Sequence, residues 1–289
     1  MTQAPEAYTH HRVIAHGGPG RFITHLVLEE LGGRRLIWHS RRNRKGLDPE
    51  PIERHGRTPP AHAFVLRPRV LTWWIGASFM IGAALFAIGS AGLLRDSQFR
   101  GAPVLFVGSL FFTTAAYLQV LEVINEPRHD TGVRPPWSFF RLETEKIGWW
   151  AVVVQFAGTL LFNVNTFEGM RSLEPVRADW WVWSPNAVGS VCFLVASTLA
   201  YAEVSKSWAH RQPRNVSWWI VVINLLGSIA FGVSAIAGFV VPKTGEMIDG
   251  RISNLTTLIG AVCFFVAAYL LIPEMTARAD NSPAVQRNP

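Results

Sequence analysis

The chain has 289 residues, of which 49% are hydrophobic and only 16% charged, against about 25% charged in a typical soluble protein. It carries a formal net charge of +7 and two cysteines. That balance excludes an ordinary soluble protein of this length.

Residues 1–69 differ from everything after them, holding 12 Lys and Arg against 6 Asp and Glu, and seven of the nine histidines. The apolar stretch from Leu26 to Leu31 and the stretch from Arg34 to His39 flank Gly32-Gly33, a pattern that predicts a β-hairpin. An amphipathic helix broken at the glycines is the alternative. The basic run Ser40 to Gly46 follows, and Arg41, Arg42, Arg44 and Lys45 are expected to bind anionic lipid headgroups, at about 1 kcal/mol per basic residue near the surface. No recognisable nucleic-acid-binding fold accompanies the run, so nucleic acid is not an expected partner. His10, His11, His16, His25, His39, His55 and His62 show neither i,i+4 pairing nor cysteine neighbours, and no metal or other cofactor is expected. Asp48 to Pro60 reads as a proline-rich linker. The first 60 residues contain no apolar core of signal-peptide length, which leaves the first span as the insertion signal.

Six stretches then carry no Asp, Glu, Lys or Arg: Val70 to Leu94, Gly101 to Leu121, Ile147 to Phe167, Trp180 to Ala202, Asn215 to Pro242 and Ile252 to Pro273. Each is long enough for a bilayer-spanning helix, which needs roughly 20 residues. The expected fold is therefore an all-α integral membrane protein with six transmembrane helices and a small basic N-terminal region. Lys and Arg are retained on the cytoplasmic side. Of the 27 basic residues, 21 fall in the tails and in the linkers after the second and fourth spans, which predicts cytoplasmic termini in the plasma membrane. Cys192 and Cys263 lie inside spans and read as small apolar packing residues.

The spans repeat in pairs. Odd spans begin with Trp73-Trp74, Trp149-Trp150 and Trp218-Trp219, followed nine residues after the first Trp by Gly82, Gly158 and Gly227 and four later by Phe86, Phe162 and Phe231. Even spans carry Gly108, Gly189 and Gly260, followed at plus four by Phe112, Phe193 and Phe264, at plus seven by Ala115, Ala196 and Ala267, and at plus fourteen by Glu122, Glu203 and Glu274. Three tandem helical hairpins are expected: residues 70–126, 147–205 and 215–275, behind the 1–69 region and before a 276–289 tail. The 0, 4, 7, 14 spacing lies on one heptad stripe, and small residues there let helices approach closely in lipid. The six glycines are thus expected at helix-packing faces. The tryptophans, with Trp180, Trp181 and Trp183 opposite, are expected to anchor at the interfaces.

The glutamates are the sharpest feature. Each sits at a helix C-terminus, where the dipole disfavours an anion, so something must offset it: Arg128, Arg141, Arg211, Arg214, the basic tail, or a bound cation. Carboxylates in or beside a membrane are functional suspects. They are read either as structural ion pairs or as a ligand or ion site in which the three converge. Gln155, Asn163, Asn165 and Asn224 serve either as interhelical hydrogen-bond partners or as the lining of a polar path. The first hairpin lacks such an amide, so any path would be asymmetric.

Gly108-Ser109-Leu110-Phe111-Phe112 with Ala115-Ala116-Tyr117-Leu118-Gln119, preceded by a Trp73-Trp74 span with Ile81-Gly82 and Phe86, resembles the YrhK-like two-helix membrane domain. The chain is also similar to larger actinobacterial multi-pass membrane proteins with a Trp-x-Ser-Arg-Arg-x-Arg-Lys-Gly element, here Trp38 to Gly46. The match is clearest over residues 70–125. It implies the fold unit, since the family carries no established activity. The chain has no nucleophile elbow, phosphate loop, zinc signature or dinucleotide fingerprint, so no enzyme is expected. A membrane scaffold that meets lipid or a partner, with homo-oligomers among its arrangements, is the leading expectation. A small-solute or ion transporter or channel with a path between hairpins is the alternative.

Overall fold

The computed structural model describes residues 11–30, 32–45, 47, 49–51, 70–96, 99–127, 135–171, 173–205 and 215–276. Its N-terminal part is an antiparallel sheet of β1 (His11–Gly17), β2 (His25–Glu30), β3 (Arg35–His39) and the two-residue β4 (Glu50–Pro51), in that order. The hairpin expected at the glycine pair is β2–β3, with Gly33 at φ +78° in the turn. Leu26 pairs with Trp38 and Leu28 with Leu36, so the period-two pattern puts all four on one buried face. The tail folds as a β-layer that extends beyond the expected hairpin by a strand on each side.

Strand β3 runs directly into a short helix, α1 (Ser40–Arg44), and His39 is still extended where the helix begins. Six long helices follow: α2 (Leu71–Arg95), α3 (Gly101–Ile124), α4 (Ile147–Glu168), α6 (Ser184–Val204), α7 (Val216–Ala237) and α8 (Gly250–Thr276). A four-residue helix, α5 (Pro175–Ala178), and one wide turn at Asp179–Trp183 lead into α6. All six are long and apolar enough to cross a bilayer, as in a multi-pass membrane protein. In hydrocarbon every backbone N–H and C=O must be satisfied within the segment, which is why such apolar runs form helices.

The long helices contact one another in the cyclic order α2, α3, α4, α6, α7, α8, and α8 returns to α2. Within α2–α3, α4–α6 and α7–α8 the glycines meet reciprocally. A methyl on Gly82 would sit 2.9 Å from the Gly108 carbonyl oxygen, one on Gly158 would sit 3.2 Å from that of Gly189, and one on Gly227 would sit 3.2 Å from that of Gly260. Each glycine also lies under a phenylalanine of the facing helix: Phe112 over Gly82, Phe162 over Gly189, Phe231 over Gly260. The other contacts use hydroxyls and small residues. Ser109 bonds Thr166 across α3–α4 at 3.0 Å, Ser197 bonds Ser228 across α6–α7 at 2.6 Å, and Gly76 of α2 lies against the Ala268 carbonyl of α8.

The six stripe phenylalanines meet in the middle of the ring. Phe86, Phe162 and Phe231 lie 5.6 to 6.5 Å apart between ring centroids, and Phe264 lies 5.2, 5.7 and 5.9 Å from Phe231, Phe193 and Phe112. All six are buried, so aromatic rings fill the centre of the bundle.

Candidate functional site

The chain passes from β3 into α1 at the end of the bundle where the glutamates lie, here the tail end. Arg44 reaches Glu203 with both guanidinium ends, Nη1 to Oε1 at 2.8 Å and Nη2 to Oε2 at 2.7 Å, while Ser40 Oγ donates to the same Oε1 at 2.7 Å. Arg41 binds Glu274 side-on, Nε to Oε1 at 2.9 Å and Nη2 to Oε2 at 3.3 Å, and Lys45 Nζ also pairs with Glu274. These are deeply enclosed charges: side-chain exposure is 8% for Arg44, 1% for Glu203, 3% for Lys45 and 6% for Glu274. Asn43 fixes the helix from its other side, donating to the Pro127 carbonyl at 2.8 Å. Glu122 accepts from Thr72 Oγ1 and stands within electrostatic reach of Arg41, Arg44 and Lys45.

Bidentate pairing at this burial is the strong form of an ion pair, and it acts on the basic groups unequally. Burial and the neighbouring Arg44 charge pull Arg41 down to about 10. Burial and the Arg41 charge hold Lys45 well below the ordinary lysine value. Burial would lower Arg44 as well, but the charge and hydrogen bonds of Glu203 outweigh it and raise the group. Glu126, just past α3, is pushed up to about 7 by burial although Lys146 Nζ lies 2.9 Å away.

The glutamates are not equivalent, and the residue before each tryptophan pair explains why. It is Thr72 in α2 and Ser217 in α7, and their hydroxyls bond Glu122 and Glu274. In α4 it is Gly148, which offers no hydroxyl but leaves space: a methyl there would collide with Arg44 Nη1. The gap is where Arg44 enters. The hydroxyl-Gly-hydroxyl pattern, together with Ser40, was the signal in the sequence that spacing alone did not expose.

Beneath α1 lies a small cavity of about 60 Å³ lined by Arg41, Arg44, Gln119, Gln155, Asn224 and the Phe264 ring, among others. Gln119 had not been singled out, and its buried Oε1 makes no hydrogen bond. On the other side of the aromatic centre, a cavity of about 700 Å³ is lined by residues at the opposite, loop end of all six long helices. Phe86, Phe162 and Phe231 form its floor, and Asn165, Asn186 and Asn254 stand among its polar lining. Phe231 in the floor is 5.2 Å from Phe264, which borders the smaller cavity.

Several expectations change here. Arg41, Arg44 and Lys45, expected at lipid headgroups, are buried against carboxylates because the chain turns them inward at the end of β3. Arg42, in the same helix, is half-buried. Arg141, a candidate partner for the glutamates, instead donates to the carbonyls of Ile124 at 3.0 Å and Pro136 at 2.9 Å. Arg128, Arg211 and Arg214 lie outside the described residues, as do His10, His55, His62, residues 52–60 of the linker and the 277–289 tail. The four amides do not share one cavity. Gln155 and Asn224 border the small cavity and Asn165 the large one, where its Nδ2 donates to Val182 O at 2.8 Å, while Asn163 donates to Thr113 Oγ1 at 2.9 Å across α3–α4. The tryptophan pairs divide as well. Trp74, Trp150 and Trp219 are exposed, whereas Trp149 and Trp218 are buried. Cys192 and Cys263 are free thiols.

Comparison with known proteins returns no matching family model, no matching curated protein and no matching solved structure.

Proposed function

We propose that the chain is a non-enzymatic membrane conduit for a small solute, closed in this conformation at two levels. One level is the aromatic centre; the other is α1, which caps the tail end through its ion pairs with Glu203 and Glu274. The observation that carries the reading is the alignment of a large cavity, an aromatic floor and an amide-lined cavity on one bundle, with charged side chains over the last. The bundle is read as three tandem hairpins of one two-helix unit, the unit that the resemblance to the YrhK-like domain implies. Basic-residue distribution supports cytoplasmic termini in the plasma membrane, with the large cavity opening on the opposite side.

A scaffold is the second reading, favoured by the close packing of the six phenylalanines. Flux separates the two. Proteoliposomes holding the full chain are challenged with hyperosmotic glycerol, potassium chloride or sodium benzoate, and re-swelling is followed by light scattering. Because closure is at two levels, the conduit predicts faster re-swelling for at least one solute when Phe86, Phe162 and Phe231 are changed together to Ala and α1 is released by Arg44→Glu in the same chain. Rates equal to empty liposomes for every solute, with the variant still folded, would leave the scaffold.

A further inference from the structure

Between α3 and α4 the chain has neither helix nor strand over residues 135–143, yet much of its backbone is hydrogen-bonded by side chains. Asn125, the C-cap of α3, holds Ser138 from both sides, its Oδ1 accepting from Ser138 N and its Nδ2 donating to Ser138 O, each at 2.8 Å. Arg141 donates to the Ile124 and Pro136 carbonyls, Ser138 Oγ to the Phe140 carbonyl, and Trp149 Nε1 of α4 to the Arg141 carbonyl. Backbone satisfied in this way tolerates contact with lipid, where unpaired polar groups would be costly. The side chains of the same segment stand away from the protein: Trp137, Phe139, Phe140 and Leu142 are 59% to 78% exposed.

Tyr117 sets the level of this patch. It lies in α3 seven residues before Ile124, about 10 Å along the axis, and its hydroxyl donates to the Phe139 carbonyl at 3.4 Å. Even extended fully towards the tail end, the side chain and this bond reach only about that far, so the Phe139 carbonyl stands no further out than the last turn of α3. The segment therefore folds back over the exposed flank of a helix long and apolar enough to span a bilayer, at the level where aromatic side chains meet headgroups. A second copy of the chain is the other candidate to cover the patch. Four such side chains expose on the order of 500 Å², against about 800 Å² per partner in a stable interface.

We propose that Trp137, Phe139, Phe140 and Leu142 form an anchor that inserts into the headgroup–acyl boundary of the bilayer beside α3. Arg141, the one basic residue between Trp137 and Leu142, is taken up by carbonyls, so the contact is apolar and asks for no anionic lipid. The anchor stands whether or not the bundle conducts a solute. Its test uses the full chain with Cys192→Ala and Cys263→Ala in vesicles of zwitterionic phosphatidylcholine alone, carrying one nitroxide at Phe140→Cys. Collision rates are measured with oxygen, which concentrates among acyl chains, and with a water-soluble nickel chelate. The oxygen-to-chelate ratio is expected to exceed that at Glu145→Cys, an exposed position of the same connection, and to approach that at Val107→Cys on the exposed face of α3. A label at Trp137→Cys should behave alike, and serves where Phe140→Cys does not fold. A ratio no higher than at Glu145→Cys would place the segment in water and overturn the anchor. Low collision rates with both reagents would overturn it too: rates that rise on dilution with lipid would identify a second copy as the cover, and rates that do not would leave the segment packed on its own chain.

Discussion

At the residue scale, Arg44 and Glu203 show what a buried ion pair requires. Two charges taken from water are held only because each oxygen of Glu203 has a donor, Ser40 and Arg44 sharing one and Arg44 taking the other. Removing one partner leaves the other charge buried and alone, a loss of about 3–5 kcal/mol, whereas replacing both with apolar groups of similar size is often close to neutral. Glu203→Met should therefore lower thermal stability in detergent strongly, and Arg44→Met/Glu203→Met should recover most of the loss. Equal melting temperatures for the two variants would contradict the pairing. Glu126 gives a pH signature. Burial raises it from 4.5 to about 7, so between those values the folded chain keeps a proton that the unfolded chain has released. The stability it contributes is complete below 4.5 and is lost as pH rises through about 7. Glu126→Gln should flatten the melting temperature across that window, and a slope unchanged from wild type would assign it to another group.

At the element scale, each helix pair depends on a glycine backbone lying against its counterpart. Gly189→Leu would drive a side chain into Phe162 and the Gly158 carbonyl, and overpacking of this kind costs about 1–3 kcal/mol or more. The same change at exposed Gly169 of the connection after α4 should cost little, and a comparison of the two melting temperatures checks the assignment. The Gly, Phe and Glu stripes were legible in the sequence because helix periodicity is local and repeats three times. The partner of the stripe's last member was not. Arg44 and Glu203 are 159 residues apart and Arg41 and Glu274 are 233 apart, and a basic run of five or six residues reads equally well as a headgroup patch until the turn out of β3 fixes its direction. The loop-end cavity was hidden for a related reason: its lining comes from the ends of six helices, and the amides that looked like one set fall on different faces.

At the scale of the whole molecule, the bundle carries its polar chemistry at two ends and an aromatic centre between them. A surplus of positive charge in residues 1–69 suggested a lipid-facing tail. Three of those charges instead complete the bundle itself, against carboxylates of α6 and α8. In the conduit we propose, closure at the tail end is an intramolecular contact between two parts of one chain, and it should respond to the sign of its charges.

The most direct test of that closure is benzoate re-swelling of proteoliposomes carrying wild type, Arg44→Glu and Arg44→Glu/Glu203→Arg in the background in which Phe86, Phe162 and Phe231 are Ala. Like charges at the mouth should release α1 and raise the rate in the single charge variant, and restoring opposite signs in the double variant should bring it back towards the background. Three identical rates would contradict the claim that α1 closes the conduit.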